Sequence, residues 1–204
     1  MPLVGLGSSI WATLIAIFFI QFLWFFGLHG QILVNSVMDP IWNTLMYDNL
    51  DAYKAGEHIP HIISKPFMET FTVGLGGSGM TLAVVILMAF VMKKRQYRDV
   101  GRLALGAGIF NVNEPVIFGL PIVLNATILI PWVISPIIVT ALNYFVMAIG
   151  LVPAPTGVSV PWTVPVFFSG MIATNSLAGG LLQIVDCLIV GFIWYPFLVS
   201  IPIF

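Results

Sequence analysis

Apolar residues run almost unbroken from Ile10 to Leu28, with Gln21 the only strongly polar member. A membrane-crossing helix needs about 20 mostly apolar residues. The run predicts a first span over 10–28, closed by His29-Gly30, where the glycine suits a helix terminus. The pattern then changes. Residues 31–66 mix polar and apolar positions through Asp39-Pro40-Ile41-Trp42 to His61 and predict no span, only an aqueous or interfacial segment of short amphipathic helices. Its Trp42, Tyr47 and Tyr53 suit the headgroup zone, where amphipathic rings collect. Next comes the glycine-rich run Thr72-Val73-Gly74-Leu75-Gly76-Gly77-Ser78-Gly79, then an apolar helix from Met80 to Met92. That helix is too short to cross alone.

From Leu103 to Val152 there is no basic residue and one acid, Glu114, while prolines stand at 115, 121, 131 and 136. Proline removes a backbone donor and clashes with the preceding turn. A broken or re-entrant element is therefore predicted over 104–120, and a fuller span over 122–150 with its axis disturbed at Pro131 and Pro136. Pro153, Pro155, Pro161 and Pro165 make 152–165 a stiff loop. Small, mildly polar residues fill 166–180, and 181–204 reads as a last span holding Asp186 and Pro196. No internal repeat stands out. The expected fold is all-α and polytopic, with about four to five transmembrane helices plus re-entrant hairpins, forming one membrane-embedded domain over 1–204.

Composition agrees. Of 204 residues, 59% are hydrophobic and 7% charged, against about 25% charged in soluble domains. Too few polar groups exist to coat a water-facing surface, so a bilayer is the natural solvent. The net charge of −1 hides a segregation: Lys93, Lys94, Arg95, Arg98 and Arg102 hold five of the seven basic residues. Under the positive-inside rule, segment 93–102 is cytoplasmic. The first ten residues lack the basic start of a signal peptide. Cys187, the sole cysteine, has no basic neighbour to activate it, and the three histidines lack metal-ligand spacing. No cofactor, metal or nucleic-acid partner is expected.

Glu114 carries the sharpest chemical signal. A charged carboxylate at the centre of a membrane helix costs about 2.5–3.5 kcal/mol on insertion scales, so such a group tends to face a cavity or a partner. It lies in Asn111-Val112-Asn113-Glu114-Pro115. Proline pushes the preceding residue towards extended backbone and can itself open a helix. Transporters build midplane sites from such broken helices. The bland reading, a helix cap near water, is the weaker one because both flanks are apolar. For His29, a donor or proton carrier in a cavity and a plain histidine at a helix end weigh equally. Trp24 and Trp162 offer faces on which a sugar ring can stack, and Trp162 sits in the proline-stiffened loop. Asp186 reads as a partner for a neighbouring helix. The run from Gly74 to Gly79 matches G-x-G-x-x-G, but no βαβ context surrounds it, so it reads as a tight hairpin tip rather than a dinucleotide site.

The run Gly108-Ile109-Phe110-Asn111-Val112-Asn113-Glu114-Pro115-Val116-Ile117-Phe118-Gly119-Leu120-Pro121 resembles the membrane subunit (IIC) of phosphotransferase-system sugar permeases, in the lactose, cellobiose and diacetylchitobiose branch. Phe25-Phe26-Gly27-Leu28-His29-Gly30 and Val160-Pro161-Trp162-Thr163 fit the same family in the same order. Family members are about twice as long, and this sequence resembles their C-terminal half. The resemblance implies a β-linked disaccharide bound in a cavity of broken helices in the bacterial plasma membrane. It implies a cytoplasmic IIB phosphocarrier, with IIA and the general phosphotransferase proteins upstream, that phosphorylates the sugar's C6 hydroxyl. It also implies a homodimer for the full-length form. Asn113 and Glu114 then bind the sugar near its reacting end, His29 stands close by, and Trp24 and Trp162 shape the pocket. Either Glu114 or His29 serves as base. The basic segment gains a second reading as a docking site for the phosphocarrier.

The residues alone also allow an ion-coupled secondary sugar transporter with Glu114 as proton carrier, or a membrane fragment without activity of its own. Which disaccharide is carried is not legible here.

Overall fold

A computed structural model describes residues 7–120 and 122–200. All its regular elements are helical. Helix α1, Ile10–Leu23, starts at Ser9, whose hydroxyl accepts the Trp11 N–H. It tightens into a 3₁₀ turn, Trp24–Phe26, and stops at Gly27, whose φ of +74° is left-handed. Helix α2, Gly30–Ala55, is the main departure from expectation. The segment expected to hold short interfacial helices is one 26-residue helix. Its periodicity was masked because Pro40 and three acids dilute the apolar stripe. Trp42, expected to meet lipid headgroups, is instead fully buried in the protein core.

Helix α3, Lys65–Phe71, leads into the glycine turns, where Gly76, Gly77 and Gly79 all have positive φ. Helix α4, Thr81–Ile86, continues through a π turn, Leu87–Val91. Helix α5, Arg95–Ile109, carries most of the basic cluster in its first turns. The break expected over 104–120 is present: α5 stops at Ile109, and the short α6, Glu114–Gly119, begins after four residues. Helix α7, Ala126–Ala148, keeps Pro131 and Pro136 inside one continuous element. Helix α8, Phe168–Thr174, and helix α9, Leu177–Ser200, follow the stiff loop.

Among the described residues, α7 and α9 are long and apolar enough to cross a membrane, while Ile10–Phe26 and Thr81–Val91 are shorter apolar stretches. Two apolar clusters hold the assembly together. One gathers Trp24, Met80, Met88, Trp132 and Trp194, and the other Ile17, Trp42, Leu45, Phe67 and Phe71. Burying a side chain of this size contributes about 1.5–3 kcal/mol.

Buried polar side chains tie the short helices to the long ones. Gln183 on α9 is fully buried. Its Oε1 accepts from the Phe167 N–H at 2.9 Å and the Gly170 N–H at 2.7 Å, and its Nε2 donates to the Thr70 carbonyl at 2.9 Å. One amide thus satisfies backbone groups of α8 and α3 that have no water to turn to. Asn143 of α7 donates to the Phe71 carbonyl at 3.0 Å and to Asp186 Oδ2 at 2.9 Å, so Asp186 does pair with a neighbouring helix.

Candidate functional site: a polar cavity at the helix break

The break before α6 is pinned by asparagines. Asn111 has a left-handed backbone, φ +63°, which asparagine tolerates better than other side chains. Its Oδ1 accepts the Gly76 N–H at 2.8 Å, and its Nδ2 donates to the carbonyls of Trp162 at 2.7 Å and Val164 at 3.0 Å. One buried side chain therefore locks the glycine turn, the helix break and the proline loop together. Asn113 Nδ2 donates to the Ser78 carbonyl at 2.9 Å. The hairpin-tip reading of the glycines is met at Gly77, where a Cβ would lie 2.8 Å from Asn113 Cγ. Only a glycine lets the turn approach the asparagine this closely.

These contacts wall a cavity of about 550 Å³. His29, Asn113, Glu114 and Trp162 all line it. So do Gly77 and Ser78 from the glycine turn, Glu69 from α3, and Gln31, Asn35, Ser36 and Asp39 from α2. The size lies within the range of small-molecule sites, about 300–1,000 Å³. Glu114 is exposed to this space and is not stranded in apolar packing. It opens α6 directly after Asn113 and so lies at the positive end of that helix.

His29 sits differently from expectation. It is not the last residue of the first helix but the cap of the next one, where its Nδ1 accepts the Ile32 N–H at 3.4 Å. Trp24 does not line the cavity. It is buried behind His29, ring centroids 4.7 Å apart, and its other edge meets Trp132 at 6.4 Å. Trp162 is half-exposed at the cavity's rim.

Sequence reasoning missed the α2 wall. The signal was available: His29, Ile32, Ser36 and Asp39 recur at helical spacing and mark one face. It also missed an ion triad at the far side. Lys65 Nζ lies 2.7 Å from Asp39 Oδ1 and 2.7 Å from Glu69 Oε1. Burial alone would lower the Lys65 pKa, but the two carboxylates outweigh it and hold the ammonium above the usual lysine value.

Residues 2–136 match the family described as "Phosphotransferase system, EIIC". The chain belongs to this EIIC family of membrane permeases. The oligo-beta-mannoside-specific EIIC component of Bacillus subtilis (strain 168) is 65% identical over 197 residues, covering 97% of this chain and 45% of that protein. The cellobiose-specific EIIC component of Geobacillus stearothermophilus is 42% identical, covering 96% and 44%. The crystal structure of ChbC, the IIC component from the N,N'-diacetylchitobiose-specific phosphotransferase system, superposes with a TM-score of 0.93 at 41% identity, covering 97% of this chain and 46% of that one. The chain spans about half the length of the curated relatives it matches.

Proposed function

We propose that the protein containing this chain binds a β-linked disaccharide and moves it across the bacterial plasma membrane while a cytoplasmic IIB partner phosphorylates it. The observation that carries this reading is the convergence of His29, Asn113, Glu114 and Trp162 on one cavity from three separate stretches of chain. The names of the relatives support the substrate class, since oligo-beta-mannosides, cellobiose and diacetylchitobiose are all built on β-linked sugars.

The chemistry is a phosphoryl transfer from the IIB cysteine to the sugar's C6 hydroxyl. The S–P bond breaks, the O–P bond forms, and the hydroxyl proton must find an acceptor. The His29 ring accepts a backbone N–H at Nδ1, so the neutral imidazole carries its proton on Nε2. That nitrogen is a donor. Glu114 is then the group able to accept the proton, and His29 the group that orients the hydroxyl. Trp24, pressed against the imidazole, acts by holding His29 in place. Trp162 supplies an apolar face for a sugar ring. The full-length form is proposed to be a homodimer, with segment 93–102 on the cytoplasmic side, where the phosphocarrier docks.

Uptake into vesicles tests the coupling. Phosphorylated sugar should accumulate only with phosphoenolpyruvate and the phosphocarriers. Unmodified sugar accumulating in their absence, and abolished by a protonophore, would make the protein an ion-coupled transporter instead.

A further inference from the structure

Away from the cavity, one acid lies between the two long apolar helices with no role in the transfer step. Asp186 is the only charged residue of α9, and α7, which faces it, has none. Asp186 and its partner Asn143 are both fully buried. Asn143 Nδ2 uses both of its hydrogens, one on the Phe71 carbonyl at 3.0 Å and one on Asp186 Oδ2 at 2.9 Å. These two acceptors fix the orientation of the amide, because the flipped amide would set its oxygen against both.

The other oxygens of the pair, Asn143 Oδ1 and Asp186 Oδ1, have no hydrogen-bond partner among the described residues. Buried acceptors are normally paired. No cation answers for them. Asp186 enters none of the ion pairs among the described residues. Helices α1, α4, α7 and α8, packed on α7 and α9, hold no charged side chain. On α3, Lys65 is engaged by Asp39 and Glu69. The remaining titratable groups of these helices, Tyr144, Cys187 and Tyr195, carry no positive charge in any state. A single proton resolves both oxygens. Placed on Asp186 Oδ1, it turns an acceptor into a donor, and donated to Asn143 Oδ1 it closes a two-bond ring of acid and amide. No ionised group is then left between the helices.

We propose that Asp186 is held as a neutral carboxylic acid whose Oδ1–H donates to Asn143 Oδ1, making the pair a proton-dependent clamp. The clamp ties α9 to α7 and, through the Phe71 carbonyl, to the end of α3. Gln183, three residues before Asp186 on α9, takes the adjacent Thr70 carbonyl. The last two carbonyls of α3, which have no partner inside that helix, are thus both held by side chains of the long helices. The glycine turn that walls the cavity begins directly after them. Asp186 is therefore a positioning residue, acting behind the cavity without lining it.

Infrared difference spectroscopy on the full-length protein, at pH 7 in a detergent without ester groups, reads this proton directly. Wild type minus Asp186→Asn should show the C=O stretch of a protonated carboxyl, shifted to lower frequency in D2O. Asp186→Asn presents an NH2 where the acid has an OH, so it keeps both bonds of the ring and should keep the wild-type thermal midpoint. Asp186→Leu removes the ring and should lower the midpoint by several degrees. If Asp186→Leu fails to insert, the difference spectrum decides alone. An ionised carboxylate band in that spectrum, in place of the protonated one, overturns the clamp. So does an Asp186→Asn protein that is lost, or destabilised as far as Asp186→Leu.

Discussion

At the scale of single residues, asparagines and glycines do most of the positioning. Asn111 holds three backbone groups from two other segments. Replacing it by Leu leaves those groups unpaired, at about 1–3 kcal/mol for each that stays buried. Asn111→Leu should lower the thermal midpoint in detergent by several degrees and expose the 162–164 loop to protease. A midpoint matching wild type would contradict its role as a lock. Gly77 has φ +79°, and any Cβ there meets Asn113. Gly77→Ala should weaken disaccharide binding about tenfold or more, since it adds roughly 1–3 kcal/mol of backbone strain and displaces a proposed ligand. Equilibrium binding of a labelled disaccharide checks this. Lys65 behaves simply with pH. Its folded pKa is raised, so its contribution is complete below the ordinary lysine pKa and is lost only as pH climbs through the raised value. Stability measured from pH 5 to 9 should show no transition from this group.

At the scale of elements, the sequence announced the helices that are apolar throughout and concealed the one that is not. The runs that became α7 and α9 exceed the hydrocarbon thickness with few charges, so counting suffices. The break at Asn113-Glu114-Pro115 was also legible, because proline's chemistry is local. Helix α2 was hidden. Its polar face serves a cavity, so its composition resembles an interfacial segment until its partners are known. The fate of Trp24 was equally invisible: only the fold turns it away from the cavity and against His29 and Trp132. Gln183 gave no sequence signal beyond being polar in an apolar run, yet it joins α9, α8 and α3. Phe167, at φ +76°, is held in a strained backbone partly by its bond to Gln183. Gln183→Leu should therefore destabilise by about 3 kcal/mol or more, the sum of several unpaired buried groups. Loss of monodisperse protein on size exclusion, or a marked fall in thermal midpoint, is the expected result.

At the scale of the whole molecule, the site is assembled from most of the chain's length. His29 caps one helix, Glu69 lies in a second, Glu114 opens a third and Trp162 belongs to a loop. No short piece of the chain carries the cavity alone. Orientation can be tested independently of transport. Gln96 lies among the basic residues of α5. In a background lacking Cys187, Gln96→Cys should resist a membrane-impermeant maleimide in intact cells and react in inside-out vesicles. Reaction in intact cells would invert the topology.

The central claim is that Glu114 faces a sugar cavity and takes part in phosphoryl transfer. The most direct measurement is phosphoenolpyruvate-dependent formation of phosphorylated disaccharide by the full-length protein carrying Glu114→Gln. Binding should survive in weakened form, while phosphorylation falls by about a hundredfold or more, the usual worth of a general base. Phosphorylation at the wild-type rate would contradict the account.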